Sequence, residues 1–370
     1  MIRLSKSSIG EAEKQAVMGV LDREFLGMGE EVQQFEEVLT KFFGRPTVCV
    51  VNGTAALQLA LQAIGIGDSD EVLVQSLTYV ASFQAISATG AIPIACDVNS
   101  ETLCLDWKDA EKRITSKTKA LMPVHFAGGV GALDGIYAFA ANHGLRVIED
   151  AAHAFGTEYQ GKIVGGFGDI ACFSFDGIKN ITSGEGGCIV TEDEDVLQKV
   201  RNARLLGVEN DTEKRFSGGR SWEFDVTAQG WRYHMSNIMA AIGLKQFKHF
   251  PEIAVKRQAL ANQYDSLFDD QVQIRPIMHD YETVVPHIYL VRINGLKNRE
   301  ALRTKLLEKG IQTGIHYQPN HWLSLYNKKK KDSLPVTESV FPGLLTLPLH
   351  PDLSVKNVEF VSEALIGLME

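Results

Sequence analysis

The chain of 370 residues lacks the features of membrane, nucleic-acid-binding and disulfide-rich proteins. No apolar run approaches the roughly 18 residues that span a bilayer, and Met1 to Lys6 lacks the apolar stretch of a signal peptide. The net charge is −9, and we expect the one basic run, Lys328 to Lys331, to be a solvated loop rather than an anion-binding patch. The five cysteines are odd in number and lack C-x-x-C spacing, which indicates reduced thiols. We therefore predict a cytoplasmic protein that binds neither membranes nor nucleic acids.

Signatures of several enzyme classes are also missing. The sequence has no G-x-S-x-G nucleophile elbow, no G-x-x-x-x-G-K-[ST] phosphate loop and no G-x-G-x-x-G turn after its first strand. It has no HExxH pair and no cysteine–histidine cluster, so we predict no metal site. These absences argue against serine hydrolases of the elbow type, P-loop NTPases, nicotinamide-dependent oxidoreductases and zinc enzymes.

Short apolar segments alternate with helical ones through the first part of the chain. Seven segments between residues 47 and 191 have the length and composition of buried strands. This alternation predicts an α/β fold with a mostly parallel seven-stranded sheet between helices. After about residue 250 the pattern changes. A long helix is predicted from Glu252 to Phe268, and further helices and a few strands follow, with one strand predicted from Thr313 to Tyr317. We therefore predict a large domain over residues 1–249 and a smaller C-terminal α+β domain over residues 250–370.

The most informative residue is Lys179, which follows an apolar strand in the glycine-rich segment from Ser174 to Gly187. Burial at such a place lowers the pKa of an amine and favours its neutral, nucleophilic form. Asp150 ends another apolar strand, and the carboxyl ends of parallel strands are where ligands bind. A lysine that captures a carbonyl and a carboxylate that protonates a pyridine nitrogen are what pyridoxal phosphate requires from a protein. We predict catalytic roles for both residues.

The turn Asn52-Gly53-Thr54 lies where a strand gives way to a helix. Free backbone N–H groups, the Thr54 hydroxyl and the helix dipole would attract a phosphate there. Such turns are commonly structural, so the turn alone leaves both interpretations open. Ser174 adds a second hydroxyl five residues before Lys179.

Two further side chains at this edge each allow a structural and a functional interpretation. Tyr79 either packs in the core or stacks on the face of a bound cofactor. His153, three residues after Asp150, is either a hydrogen-bonded structural histidine or a neighbour of the cofactor's phenolic oxygen.

An ordered set of motifs carries a family resemblance: Glu149 to His153, Gly165 to Ile170, Ser174-Phe175 with Lys179-Asn180, and Gly184 to Gly187. Together they are similar to the signature of the sugar-nucleotide aminotransferases, often called the DegT/DnrJ/StrS group. These are fold-type I pyridoxal phosphate enzymes. The similarity extends over nearly the whole chain, from Gly27-Met28-Gly29 to Leu347-Pro348-Leu349-His350-Pro351.

The resemblance implies pyridoxal 5′-phosphate as cofactor, with pyridoxamine 5′-phosphate formed in half of the reaction. It implies covalent attachment at Lys179 and binding of the pyridine nitrogen by Asp150. It places phosphate contacts at Gly53, Thr54 and Ser174, a stacked ring at Tyr79 and a ring-oxygen contact at His153. Members of the family build each site from two subunits, so a homodimer is expected. Arg232 stands where the family commonly has an asparagine that reaches the other subunit's phosphate, and His234 stands where arginine is frequent.

The resemblance also implies the reaction, a ping-pong transfer from L-glutamate to a nucleotide-linked keto sugar. Such reactions supply surface polysaccharides such as lipopolysaccharide O-antigen, or other glycans. The segment Thr182 to Gly187 resembles the variant typical of members that aminate carbon 4, which suggests a 4-keto-6-deoxyhexose. Candidate sugar or diphosphate contacts are Met28, Arg220, His316 and Tyr317, each of which also fits a structural role.

Three alternatives remain. A 3-keto sugar aminotransferase of the same family would differ only in the position that it aminates. A sugar dehydratase on the same scaffold would have histidine in place of Lys179, and a non-catalytic regulator would lack Lys179 or Asp150 or carry a DNA-binding module. The residues present favour the 4-keto aminotransferase.

Overall fold

The computed structural model describes residues 1–327 and 333–369, so the basic run Lys328 to Lys331 lies outside the described residues. The helices are α1 (Glu11–Asp22), α2 (Glu30–Phe43), α3 (Gly53–Ala63), α4 (Val80–Ala88), α5 (Trp107–Glu111), α6 (Leu133–His143), α7 (Glu194–Ala203), α8 (Thr212–Phe216), α9 (Asn237–Phe268), α10 (Arg299–Glu308), α11 (Pro335–Val340) and α12 (Val355–Ile366). The strands are β1 (Thr47–Val50), β2 (Glu71–Gln75), β3 (Ile92–Cys96), β4 (Thr118–Met122), β5 (Arg146–Asp150), β6 (Glu158–Tyr159), β7 (Lys162–Ile163), β8 (Ile170–Ser174), β9 (Gly187–Thr191), β10 (Ile274–Pro276), β11 (Tyr289–Ile293) and β12 (Leu344–Leu347).

A seven-stranded sheet in the order β1-β9-β8-β5-β4-β2-β3 forms the centre of the fold. The pairs from β8 to β3 are parallel, and β9 is antiparallel to both β1 and β8. Alternate residues serve opposite faces: Cys49 packs with α2, α6 and α9, while Val48 and Val50 pack with α3, α4 and α7. Because both faces are covered, the strands are apolar throughout. The predicted mostly parallel seven-stranded sheet is confirmed.

A second sheet, of β10, β11 and β12, is antiparallel and packs against α9, α10 and α12. Helix α9 begins at Asn237, so the predicted boundary after residue 249 falls inside it. The division of the chain into two domains at that residue stays a prediction. No helix within residues 1–327 and 333–369 has both the length and the apolar character needed to cross a bilayer.

The strand predicted from Thr313 to Tyr317 is wrong. This segment makes a single bridge to the second sheet, between Gly314 and Thr346. The chain then leaves the sheet edge, and the His316 Nδ1 lies 2.8 Å from the Oγ1 of Thr346. The two backbone hydrogen bonds between Gly314 and Thr346 and the His316 contact hold this segment, which makes one bridge and not a β-ladder.

One edge of the large sheet gathers the residues predicted to act. Strand β5 ends at Asp150, β8 ends at Ser174, and the turn after β1 leads into α3 at Gly53. Tyr79 is the N-cap residue of α4, which follows β2. Parallel strands place all of these positions at their carboxyl ends, as expected for a ligand site of an open α/β sheet.

Candidate active site

Asp150 is buried at the end of β5, and its carboxylate accepts two hydrogen bonds. Ser82 Oγ, on α4, donates to Oδ2 at 2.7 Å, and the backbone N–H of Ala152 donates to Oδ1 at 3.3 Å. Burial raises the pKa of Asp150, while both hydrogen bonds and the nearby charge of Lys179 lower it. A cation bound against this carboxylate would compensate the cost of its burial, and a protonated pyridine nitrogen is such a cation.

Lys179 lies in the loop that follows β8, partly buried. Burial lowers the pKa of Lys179 from 10.5 to about 8, although Asp150 and Asp176 act in the opposite direction. A substantial share of this amine is therefore neutral near physiological pH, unlike an ordinary surface lysine. Its Nζ lies 3.4 Å from the Nε2 of His287. Part of the amine is therefore in the neutral form that attack on a carbonyl requires.

His153 is held in a defined tautomer. The backbone N–H of Ala127 donates to its Nδ1 at 3.3 Å, so Nε2 carries the proton and faces the hydroxyl of Tyr317 at 3.1 Å. Burial, and then the charges of Lys179 and His316, keep the pKa of His153 well below its usual value. His153 is therefore a neutral hydrogen-bond donor at this edge.

The ring of Tyr79 is 59% exposed, and its centroid lies 5.4 Å from that of Tyr317. The core-packing interpretation of Tyr79 does not hold, because more than half of the residue is exposed. An exposed aromatic face at a sheet edge suits stacking on a planar ligand.

The start of α3 fits a phosphate group. Asn52 Oδ1 caps the helix by accepting from the N–H of Ala55 at 2.8 Å, and the first-turn N–H groups of Gly53 and Thr54 have no intrahelical acceptor. A Cβ at Gly53 would lie 2.8 Å from the Cβ of Ser174, so a side chain there would close the space between α3 and that serine. These donors, two hydroxyls and a helix N-terminus are suited to an anion. The residues present thus fit pyridoxal phosphate.

His316 and Tyr317 lie close to this set, since the Tyr317 hydroxyl is 3.1 Å from the Nε2 of His153. Burial lowers the pKa of His316 to about 4, with a further contribution from Lys179. Arg220 and Arg232 are exposed, and neither side chain is hydrogen-bonded within the described part of the chain. Met28 is 2% exposed and packs in the main apolar cluster. Substrate contact by Met28 is therefore not supported, because its side chain is buried in the core.

Several residues near the site were not predicted from the sequence. Ser82 could have been found from its position three residues after Tyr79, on the first turn of α4. His287, on the segment before β11, had no local signal, because it reaches Lys179 only through packing of distant parts of the chain. His125 Nε2 lies 2.6 Å from the Oε2 of Glu149, inside the sheet edge behind Asp150.

A model of the DegT/DnrJ/EryC1/StrS aminotransferase family matches residues 7–366. The chain belongs to this family. It is 36% identical over 372 residues to the spore coat polysaccharide biosynthesis protein SpsC of Bacillus subtilis, covering 98% of this chain and 95% of SpsC.

Two solved aminotransferase structures show the same fold. Streptococcus pneumoniae Spr1654, described as a sugar aminotransferase, is 31% identical in its pyridoxamine phosphate form, with a TM-score of 0.92 over 99% of this chain and 98% of its own. Helicobacter pylori PseC, an aminotransferase of pseudoaminic acid biosynthesis, is 26% identical, with a TM-score of 0.92 over 99% of this chain and 98% of its own.

The predictions of a fold-type I enzyme, of a sugar aminotransferase and of pyridoxal phosphate as cofactor are confirmed by this membership. Spr1654 has been solved in both the pyridoxal phosphate and the pyridoxamine phosphate form. The residue roles within the site stay predictions.

Proposed function

We propose that this member of the family transfers the amino group of L-glutamate to carbon 4 of a nucleotide-linked 4-keto-6-deoxyhexose. The observation that carries the proposal is the pairing of Lys179, with its pKa of about 8, and the buried Asp150 at one sheet edge. The segment Thr182 to Gly187 supports carbon 4 through its resemblance to the carbon-4 variant. Relatives named for polysaccharide and pseudoaminic acid synthesis support a surface glycan, such as O-antigen lipopolysaccharide, as the destination.

In this proposal Lys179 acts twice through Nζ. It would hold the cofactor covalently until the donor displaces it, and its neutral amine would then carry the proton from the donor's α-carbon to the former aldehyde carbon of the cofactor. Bound pyridoxal phosphate supplies an aldehyde that receives the amino group and a ring that stabilises the electron pair left at that carbon. Asp150 would hold the pyridine nitrogen and favour its protonated form. The second substrate passes through the same residues in the reverse order, which gives ping-pong kinetics.

The remaining site residues would orient the cofactor and the substrate. Gly53, Thr54 and Ser174 would hold the phosphate, and the exposed ring of Tyr79 would cover one face of the cofactor ring. His153 would present its Nε2–H to the ring oxygen. His316 and Tyr317 would contact the sugar nucleotide, together with Arg220 of the loop from residue 207 to residue 230.

We further propose a cytoplasmic homodimer with shared sites. The loop that carries Arg220 also exposes Trp222 (86%) and Phe224 (59%), an apolar surface of the kind that a partner subunit covers. Arg232 follows this loop with its guanidinium exposed, so it is free to reach a phosphate held by another subunit. Reduced, buried cysteines support a cytoplasmic location.

A panel of 4-keto and 3-keto sugar nucleotides tests the substrate. With L-glutamate as donor, we expect kcat/KM for a 4-keto-6-deoxyhexose to exceed that for the matching 3-keto sugar by roughly 10²-fold. Amino sugar and 2-oxoglutarate, measured by chromatography and mass spectrometry, should appear in equal amounts. Preference for the 3-keto sugars would establish the alternative regiochemistry, and loss of water from the sugar without amination would establish a dehydratase.

Hybrid dimers test the shared site. We expect Arg232→Ala to weaken pyridoxal phosphate binding by roughly 10-fold or more, the effect of losing one charge-assisted hydrogen bond. Unfolded Arg232→Ala and Lys179→Ala chains are then mixed and refolded together. At a limiting concentration of pyridoxal phosphate the mixture should bind the cofactor tightly and turn over faster than the mean of its two components, because hybrids contain one intact site. Arg275→Ala mixed with Lys179→Ala is the matched control, since Arg275 is an exposed arginine on β10 with no role in the proposed site. A mixture whose activity equals the mean of its two components would show that Arg232 serves its own subunit.

A further inference from the structure

His287 lies against Lys179 and has no part in the function proposed above. It is 2% exposed, and its Nε2 is 3.4 Å from the Lys179 Nζ. The other ring nitrogen, Nδ1, is buried and has no hydrogen-bond partner among residues 1–327 and 333–369. The imidazole therefore has one polar neighbour within bonding distance, the amine of Lys179.

The backbone of His287 is held from both sides. Its N–H donates to the carbonyl of Ala127 at 3.1 Å, and its own carbonyl accepts from Nη1 of Arg257 at 3.1 Å. The same nitrogen of Arg257 lies 3.4 Å from the carbonyl oxygens of Pro286 and of Leu349. Arg257 is 1% exposed, and burial lowers its pKa to about 10. A fully buried guanidinium that donates to backbone carbonyls fixes this segment, and with it the ring.

The electrostatic surroundings keep the ring neutral. Burial lowers the pKa of His287 well below its usual value, and the charge of Lys179 lowers it further. The charged and titratable groups that act on this amine or on the ring are Asp150, Asp176, Arg257, His153 and His316. A neutral imidazole can accept a hydrogen bond from an ammonium group, and after deprotonation it can keep the contact as donor or acceptor.

We propose that His287 is a positioning residue for Lys179, which holds Nζ through Nε2 whenever the amine is not covalently engaged. The inference rests on the proposed role of Lys179. During turnover the amine is released by the donor and must remain within reach of the α-carbon. A contact that holds the end of this flexible four-carbon side chain keeps Nζ oriented toward the α-carbon, and this raises the rate of proton transfer.

Three substitutions separate the two ring nitrogens. In His287→Gln the side-chain amide ends near the position of Nε2, in His287→Asn it ends near Nδ1, and His287→Leu has no polar atom. Because the contact uses Nε2, glutamine should preserve the function, and asparagine should behave like leucine. A role in packing alone would not distinguish glutamine from asparagine in this way.

The first readout uses apoprotein, labelled over a pH series with an amine-reactive reagent and mapped by peptide mass spectrometry. An acceptor stabilises the ammonium form, so its loss lowers the pKa. We expect the midpoint of Lys179 labelling to move to lower pH in His287→Leu and His287→Asn, and to stay at the wild-type value in His287→Gln. The second readout is the glutamate half-reaction of the loaded enzyme. Its limiting rate should fall roughly 10- to 100-fold in the leucine and asparagine variants, with little change in KM.

Thermal unfolding first establishes that each variant is folded. If the leucine variant does not fold, the comparison of the glutamine and asparagine variants still decides the test. Wild-type behaviour of all folded variants, or rescue by asparagine and not by glutamine, would overturn the role of His287. Borohydride reduction of wild-type enzyme followed by peptide mapping addresses the underlying proposal separately. Reduced cofactor on another residue would remove the function proposed for Lys179 itself, and the role of His287 with it.

Discussion

Replacing Lys179 by alanine is expected to lower the rate of the glutamate half-reaction by at least about 10⁴-fold. The substitution removes both the covalent anchor and the group that moves the proton, and proton transfer alone contributes up to about 10⁴-fold in enzymes. Rapid mixing of loaded enzyme with glutamate, followed by absorbance of the cofactor, measures this rate. The wild-type protein should be yellow, and its colour should be bleached by glutamate without any second substrate.

Two further lysine variants test whether the loss of activity in Lys179→Ala comes from the missing amine. Lys179→Arg keeps a positive charge but cannot form the covalent bond, because guanidinium stays protonated; it should be as inactive as alanine. Lys305→Ala removes an exposed lysine on α10 and should leave the rate unchanged. A Lys179→Ala protein that still bleaches with glutamate at near the wild-type rate would show that another amine does this work.

The parts of the site that lie at strand ends could be predicted from the sequence. Asp150 and Ser174 end apolar runs, and runs of this kind are recognisable because a strand buried on both faces has a continuous apolar sequence. Lys179 follows the second of these strands after a short loop, so its place at the sheet edge followed from chain connectivity alone. The chemistry then followed from residue type.

Proline accounts for one boundary error. The helix predicted to begin at Glu252 follows Pro251, and proline is typical of the first turn of a helix. In the structure α9 begins at Asn237 and continues through Pro251. Packing of its earlier turns, including Ala240 in the main apolar cluster, outweighs the local cost of the proline.

Contacts between distant segments account for the rest. Tyr317 reaches His153 and His287 reaches Lys179 across separations of 164 and 108 residues, and no local pattern encodes such a meeting. Met28 shows the opposite error: its glycine-flanked motif suggested a site residue, but its side chain is buried in the core. Side-chain accessibility depends on the assembled structure, so function predicted from a motif's position requires that structure.

Replacing Asp150 by asparagine is expected to lower the half-reaction rate by about 10³-fold while leaving the cofactor bound to Lys179. A carboxamide cannot balance a proton on the pyridine nitrogen, so the ring loses its capacity to accept the electron pair from the α-carbon. The variant should remain yellow and should be labelled at Lys179 by borohydride, which distinguishes it from loss of the lysine. A rate within a few-fold of wild type would show that Asp150 does not bind the pyridine nitrogen of the cofactor.

Ser82→Ala tests the same carboxylate through pH. The Ser82 hydrogen bond lowers the pKa of Asp150, so its removal should raise that pKa. Because the ionised carboxylate is the working form, activity is lost as pH falls through its pKa, and a higher pKa moves this loss to higher pH. We expect the acid limb of the half-reaction profile to shift upward in Ser82→Ala and not in Ser87→Ala, a matched change at the far end of α4. An unshifted acid limb in both variants would mean that the limb reports a group other than Asp150.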